Sequence, residues 1–232
     1  MTNTQACRWR IFSDPAELRD AAVKITLESA AKAIAERGRF DIVLAGGTTP
    51  RAIYEQLRRA ESEWRHWHVW FGDERCLPAD NVERNSLMAS QALLDHVAIA
   101  PEQIHPIPAE LGASAAAAAY NNALDGMGPF DLVLLGVGED GHTASLFPGH
   151  RWDHVPPKAA IPVHNSPKPP SDRVSLSADR LSDARQVIFL VTGAGKRHAV
   201  EQWRGNTSLP VKAIVPKAGV DVFMDAAAGG AL

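Results

Sequence analysis

Short apolar runs alternate along the chain with longer stretches of mixed polar and apolar residues. The runs lie at residues 9–12, 40–45, 68–74, 130–136 and 186–192. Continuous aliphatic and β-branched sequence of this kind is typical of strands that are covered on both faces. Because the stretches between the runs carry helix signals, the order strand, loop, helix, strand repeats along the chain. We therefore predict an α/β fold, with a Rossmann-like, mostly parallel sheet covered by helices on both faces.

The first helix has the clearest boundaries in the sequence. Asp14 suits the N-cap, Pro15 the first turn and Glu17 the capping-box position. Alanine-rich sequence then continues to Arg37, and Gly38 is a typical helix stop. Further helices are predicted at about residues 50–60, 85–95 and 114–125, with another near Gly195.

Ligands of parallel α/β sheets bind at the carboxyl ends of the strands. This rule selects four loops as candidates for a site, at residues 46–50, 72–78, 136–149 and 193–198. Residues 148–170 interrupt the strand and helix pattern with seven prolines. We predict that they form an ordered surface excursion rather than a linker between domains.

Composition narrows the classes of function. The chain has 232 residues, 45% of them hydrophobic, and a formal net charge of −3. A folded chain of this length buries roughly 70% of its extended surface, so we predict a single domain over residues 1–232. A net charge this close to zero gives no electrostatic reason to expect nucleic acid or a membrane surface as a partner.

Cysteine usage and the N-terminus indicate a cytoplasmic protein. Cys7 and Cys76 are too few for a disulfide framework, and their spacing is not that of a metal site. The N-terminal residues lack the apolar run of a signal peptide, and no apolar stretch reaches the ~18 residues that span a bilayer.

A glycine and threonine loop follows the predicted strand at 40–45. Its sequence is Gly46-Gly47-Thr48-Thr49, and Pro50 comes next. Glycines allow a close backbone approach, and the N–H groups at a helix start favour an anion such as phosphate. An ordinary tight turn with a threonine N-cap explains the pattern equally well. The loop is not a Walker A motif, because no Gly-Lys-Ser/Thr closes it.

Residues 136–141 match G-x-G-x-x-G directly after a predicted strand. Nucleotide binding is disfavoured, because proline-rich sequence follows where a dinucleotide fold needs a helix and another strand. Asp140 and His142 are instead candidates for acid–base catalysis, since a carboxylate can orient an imidazole that titrates near neutrality. The alternative is a structural histidine bonded to the loop backbone.

Charged residues near other strand ends are further candidates. Asp73, Glu74 and Arg75 end a buried run, where such residues face a site or a helix dipole, or form a local ion pair on the surface. Arg173 and Lys196 are cations that, together with the loop at 46–50, could enclose one phosphate, although either alone is most often a surface residue.

Two further patterns carry no assignment. His66 and His68 have one-sided strand spacing, but the sequence shows no third ligand, so no metal site is predicted. Ser145 lacks the G-x-S-x-G elbow, which disfavours a serine hydrolase.

These loops, in this order, resemble the 6-phosphogluconolactonase family. The matching segments are LAGGTTP (44–50), WFGDERCLPADNVERNS (70–86), FDLVLLGVGEDGHTASLFPG (130–149), KPPSDRVSLS (168–177) and FLVTGAGKRHAV (189–200), and the similarity continues into VFMDAAA (222–228). The resemblance implies the sugar-phosphate isomerase and deaminase type of α/β fold. It also implies hydrolysis of 6-phospho-D-glucono-1,5-lactone to 6-phosphogluconate, the second step of the pentose phosphate pathway.

The resemblance also implies roles for the candidate residues. His142 would act as general base on a water, with Asp140 orienting it, and either Arg75 or loop N–H groups would stabilise the oxyanion. The substrate phosphate would bind at Gly46, Gly47, Thr48 and Thr49, with Arg173 and Lys196 as countercharges. The partner expected is a small sugar phosphate, without cofactor or metal, and the protein is expected to be a monomer or a small homo-oligomer.

A sister family, the glucosamine-6-phosphate deaminases, resembles the chain at the phosphate loop and at the G-x-G-x-D-G-H core. Those enzymes carry a glutamate five residues after the histidine, where this chain has Phe147, and a tyrosine where it has Arg75. Both differences favour the lactonase. The chain departs from the common Ser-Asn-Tyr of the lactonases at residues 84–86 (Arg-Asn-Ser), which affects local substrate contacts. Deaminase or isomerase activity, and a catalytically silent sugar-phosphate-binding protein, remain the alternatives.

Overall fold

The computed structural model describes residues 5–151 and 158–230. In chain order, the strands of the described residues are β1 (Cys7–Phe12), β2 (Phe40–Leu44), β3 (Trp67–Phe71), β4 (Asp73–Arg75), β5 (Ile104–His105), β6 (Phe130–Gly136), β7 (Ala160–Val163), β8 (Arg173–Leu176), β9 (Ala184–Val191) and β10 (Val220–Asp225). The α-helices are α1 (Pro15–Arg37), α2 (Thr48–Leu57), α3 (Asn85–Ala92), α4 (Ala113–Ala123), α5 (Ala178–Ser182), α6 (Arg197–Arg204) and α7 (Ala226–Gly229).

A seven-stranded sheet forms the centre of the fold. Its strand order is β1-β10-β9-β6-β2-β3-β5, and every neighbouring pair is parallel. All residues of β2 and β10 are buried, as expected for strands inside a covered sheet. The predicted α/β class with a mostly parallel sheet is confirmed.

A second, three-stranded sheet was not predicted. The run at 68–74 ends its first strand at Phe71, and after Gly72 the chain forms β4, which pairs antiparallel with β8. β7 completes this sheet in the order β4-β8-β7. The single strand predicted over 68–74 is therefore wrong, because its last residues leave the large sheet to pair elsewhere.

The proline-rich segment contributes to this second sheet. We predicted a surface excursion over residues 148–170, but residues 160–163 form β7, and Ala160, Ile161 and Val163 are buried. The Asn121 side chain on α4 bonds both the N–H and the carbonyl of Ala160. The prediction is wrong for β7, because its apolar residues pack against the helix. Residues 152–157 of the segment lie outside the described residues.

The ends of α1 follow the sequence signals. The Asp14 carboxylate accepts hydrogen bonds of 2.8 Å from the N–H groups of Ala16 and Glu17. Gly38 ends the helix with φ 75°, a left-handed conformation that favours glycine. The Glu17 carboxylate accepts from the N–H of Ser13, one residue before the N-cap.

The other predicted helices are present with shifted ends. α2 begins at Thr48, earlier than predicted, and its N-cap is Gly47 without a side-chain hydrogen bond, so the threonine N-cap is wrong. α3 ends at Ala92, and a short 3₁₀ turn at 94–96 replaces its predicted last residues. None of the described helices combines the length and apolar character that crossing a bilayer requires.

Three strands of the large sheet carry a buried aspartate as their second residue, namely Asp41, Asp131 and Asp221. The Asp131 carboxylate accepts a hydrogen bond of 2.8 Å from Arg37 Nη2 and one of 2.9 Å from the N–H of Asp41. Arg185 Nε lies 3.3 Å from the same carboxylate. Because a buried carboxylate is stable only with such partners, these contacts tie the starts of neighbouring strands together.

Asp131→Ala is expected to lower the free energy of unfolding by about 1–3 kcal/mol, because it leaves the buried N–H of Asp41 and Nη2 of Arg37 without their acceptor. Asp125→Ala is the matched control, since Asp125 is exposed, and it is expected to change stability by less than about 0.5 kcal/mol. Urea unfolding followed by circular dichroism measures both variants. Equal losses in the two would contradict the role given to Asp131.

Candidate active site

A cleft of about 360 Å³ opens at the carboxyl edge of the large sheet. It lies where β2, β3 and β6 end, since Ala45, Gly72 and Gly136 form part of its wall. All four loops selected from the sequence contribute to it. The predicted site residues that line it are Gly46, Gly47, Arg75, His142, Arg173 and Lys196.

His142 and Asp140 form a hydrogen-bonded pair in the loop after β6. His142 Nδ1 lies 2.5 Å from Asp140 Oδ1, and the His142 N–H also donates to this oxygen, at 3.2 Å. An ionised carboxylate only accepts hydrogen bonds, so the ring proton belongs on Nδ1. Nε2 then carries the free lone pair and can accept a proton.

Gly138 makes this pair sterically feasible. A Cβ atom at Gly138 would lie 1.9 Å from His142 Nδ1 and 2.5 Å from Asp140 Oδ1. The Gly138 N–H donates to the His142 carbonyl at 2.8 Å, and the Gly141 N–H donates to the Gly138 carbonyl at 3.0 Å. The loop backbone therefore folds back on itself beneath the imidazole, where any larger residue would displace the pair.

Phe147 covers one side of the imidazole. Its side chain is fully buried, and its ring centroid lies 4.8 Å from that of His142. The Arg173 guanidinium lies over the Phe147 ring, 5.7 Å from its centroid. Phe147 is thus an apolar contact between the histidine and the arginine that both border the cleft.

The charge state of the pair follows from its surroundings. Burial lowers the pKa of His142, the Asp140 carboxylate partly offsets this, and the positive charge of Lys168 lowers the pKa further. Burial raises the pKa of Asp140, but the charge and hydrogen bonds of His142 outweigh it, so the net change is downward. Near neutral pH the pair is therefore an ionised carboxylate and a neutral imidazole, which is the state that a general base requires.

The glycine and threonine loop brings backbone N–H groups to the cleft edge. The first hydrogen bond of α2 runs from the Arg51 N–H to the Gly47 carbonyl at 3.1 Å. The N–H groups of Thr48 and Thr49 precede it and so have no partner inside the helix. Thr49 Oγ1 is engaged with Thr192 Oγ1 at 2.6 Å. Gly46 and Gly47 belong to the cleft lining, whereas Thr48 and Thr49 do not.

The Asp73-Glu74-Arg75 segment sends its three side chains in different directions. Asp73 lines the cleft, accepting from Ser145 Oγ at 2.6 Å and from Asn85 Nδ2 at 3.0 Å. Glu74 is fully buried and accepts from the N–H groups that open α3, beginning with Asn85 at 2.7 Å. Arg75 lines the cleft, and its Nη1 donates to the Glu83 carbonyl. The segment therefore contributes Asp73 and Arg75 to the cleft wall, and its Glu74 caps the N-terminus of α3.

Sequence reasoning missed Asn85 and Lys168 as cleft residues and gave Asp73 no role of its own. Asn85 packs so closely on the glycine and threonine loop that a Cβ at Gly46 would lie 2.0 Å from its Oδ1. Lys168 precedes two prolines in a segment that was interpreted as surface. The position of Asp73 at a strand end was a local signal. Asn85 and Lys168 lie in segments that resemble the lactonase family, but they reach the cleft through long-range packing.

Comparison with known proteins identifies close likenesses. A family model described as glucosamine-6-phosphate isomerases/6-phosphogluconolactonase matches residues 13–223. The 6-phosphogluconolactonase of Mycobacterium leprae is 36% identical, over 90% of this chain and 89% of that protein. The crystal structure of 6-phosphogluconolactonase from Thermotoga maritima superposes with a TM-score of 0.88 at 26% identity, covering 95% of this chain and 100% of that one. The 6-phosphogluconolactonase of Trypanosoma brucei gives 0.86 at 29% identity, covering 97% and 98%.

Asp140→Asn is expected to lower the pKa of His142 still further, because it removes the carboxylate that favours the protonated ring. A ¹H NMR titration of the histidine ring protons measures this in the wild type and the variant. Asp125→Asn, at an exposed position, is the matched control and should leave the pKa of His142 unchanged. A rise in the pKa of His142, or no change, would contradict the electrostatic role of Asp140.

Proposed function

Because the chain belongs to the family of glucosamine-6-phosphate isomerases and 6-phosphogluconolactonases, we propose that it hydrolyses 6-phospho-D-glucono-1,5-lactone to 6-phosphogluconate in the oxidative branch of the pentose phosphate pathway. The observation that carries this proposal is the Asp140–His142 pair, whose histidine lies at the wall of a cationic cleft with Phe147 covering one side of its ring. The relatives named 6-phosphogluconolactonase support the same substrate.

In this proposal the substrate phosphate is held away from the reacting carbon. It docks on the N–H groups of the loop from Gly46 to Thr49, with Arg173 and Lys196 as countercharges. The two glycines and both cations border the cleft, which supports this placement. Anchoring the phosphate fixes the position of the lactone carbonyl, so less translational and rotational freedom is lost at the chemical step.

His142 then acts as the general base. Its Nε2 takes a proton from a water while the water oxygen bonds to C1 of the lactone, which forms a tetrahedral oxyanion. Arg75 or loop N–H groups donate to this oxyanion. As the oxyanion collapses, the bond from C1 to the ring oxygen breaks, and protonated His142 returns its proton to that oxygen. This proton transfer restores neutral His142 without a covalent intermediate. The water is consumed, since its oxygen stays on C1, and the new carboxylic acid releases its proton to solvent at neutral pH.

Phe147 argues against the deaminase and isomerase alternative. The resemblance implies that the glutamate of the sister family serves an aldose–ketose isomerisation, and this chain has Phe147 at that position. In this chain the position holds a fully buried aromatic ring against His142, with no proton to exchange. A catalytically silent sugar-phosphate-binding protein is disfavoured by the intact and pre-oriented Asp140–His142 pair.

Several expectations from the sequence stay predictions. They are the cytoplasmic location, the monomeric or small oligomeric state, and the extension of one domain over all 232 residues. The described residues contain no cluster of three or more histidine, cysteine, aspartate or glutamate side chains arranged to hold a metal ion.

His142→Ala is expected to reduce kcat/KM for the phospholactone by about 10²–10⁴-fold, the usual contribution of a positioned base. The phospholactone is generated in situ, and 6-phosphogluconate formation is compared with spontaneous hydrolysis in the same buffer. His198→Ala, at an exposed position, is the control and should keep the wild-type rate.

Two results would contradict the proposal. A wild-type rate in His142→Ala would remove the histidine from the mechanism. Release of ammonia from glucosamine 6-phosphate by the wild-type protein, without acceleration of lactone hydrolysis, would favour the deaminase instead.

A further inference from the structure

Arg173 makes contacts that differ from those of a simple phosphate ligand. Arg173 lies on β8 at the cleft wall, and only 5% of the residue is exposed. Nη2 donates to the carbonyls of Lys168 and Pro169 at 3.2 and 2.9 Å, and Nε lies 3.3 Å from the carbonyl of Pro170. A guanidinium has five N–H donors, so most of them are occupied by three successive carbonyls of one turn.

The same turn is also fixed from within. The Ser166 N–H donates to the Ser171 carbonyl at 2.8 Å and closes the loop. Ser166 Oγ donates to the Lys168 carbonyl at 2.8 Å and accepts from the Lys168 N–H at 3.3 Å. The backbone on both sides of Lys168 is therefore held in one position, with Arg173 on one side and Ser166 on the other.

The side chain of Lys168 borders the cleft together with Lys196 and His142. Burial lowers the pKa of Lys196, the Glu139 and Asp140 carboxylates partly offset this, and the charge of Lys168 lowers the pKa further. The two ammonium groups are therefore close enough to interact. Among the described residues, Lys168 forms no ion pair with a carboxylate. An anion bound between two ammonium groups that border one cleft offsets their mutual repulsion, which indicates a site for an anionic group.

We propose that Lys168 binds the substrate phosphate jointly with Lys196, and that Arg173 is a positioning residue that holds the 166–171 turn and thereby keeps Lys168 in the cleft. This inference rests on the proposed function for the identity of the phosphate ester. It replaces the role of Arg173 as a direct countercharge of the phosphate with a supporting role. The two lysines supply mobile point charges, and the arginine supplies a rigid support that also packs on Phe147.

Titration calorimetry with 6-phosphogluconate tests the role of Lys168 without any need for turnover. Lys168→Gln is expected to weaken binding about 10- to 100-fold, the loss typical of one hydrogen bond to a charged group. Lys217→Gln removes one exposed charge at the start of β10, on the opposite edge of the sheet, and is expected to bind like the wild type. Thermal unfolding confirms that both variants are folded. Unchanged binding by Lys168→Gln would overturn the proposal.

A double variant tests the positioning role of Arg173. If Arg173 acts through Lys168, Arg173→Gln weakens binding, and the double variant Arg173→Gln/Lys168→Gln binds no more weakly than the weaker single variant. Losses that multiply in the double variant would show that Arg173 contacts the phosphate independently and would overturn its positioning role.

The hydrolysis assay of the wild type distinguishes failure of this inference from failure of the proposed function. Hydrolysis with unchanged binding by Lys168→Gln refutes this inference alone, whereas absence of hydrolysis refutes the proposed function.

Discussion

The hydrogen bond of 2.5 Å between His142 Nδ1 and Asp140 Oδ1 is the contact on which the site depends. It sets the tautomer of the imidazole and leaves Nε2 as the proton acceptor. The bond is feasible only because residue 138 has no side chain, since a methyl group there would overlap both partners. The buried strand β6 supports the loop, and Phe147 closes one side of the ring. Strand, glycine and aromatic ring thus act together to hold one base in one orientation.

Burial and charge act in opposite directions on this base. Removal from water disfavours the protonated imidazole, and the nearby lysine does the same, whereas Asp140 favours it. The net effect lowers the pKa of His142, so the imidazole is neutral near pH 7. Asp140 still stabilises the imidazolium that forms as the water attacks, so the same contact serves the resting state and the transition state.

The cleft is cationic although the whole chain is slightly acidic. The formal charge of −3 belongs to the entire sequence, whereas Arg75, Lys168, Arg173 and Lys196 all border one cleft. The nearby Asp73 carboxylate is occupied by Ser145 and Asn85 and so remains a structural part of the wall. An anionic substrate responds to the local arrangement of charge more strongly than to the sum over the surface.

Local sequence signals predicted the parts of the fold that short segments determine. The continuous apolar runs of β2, β6 and β9 and the caps of α1 are of this kind, and so is the loop with Asp140 and His142. The second sheet was missed because β4 pairs with β8 roughly a hundred residues later in the chain. For the same reason Lys168 was overlooked: its place in the cleft depends on Arg173 and Ser166, which no local pattern reveals.

The most direct test compares the pH dependence of kcat/KM with the ionisation of His142 in the free protein. A base must be unprotonated, so the rate is expected to fall on the acid side with an apparent pKa equal to that of His142 measured by NMR, below the usual value of about 6.5. Asp140→Asn is expected to move both values down together. An acid limb that does not coincide with the titration of His142, or that stays in place when the His142 pKa moves, would contradict the account.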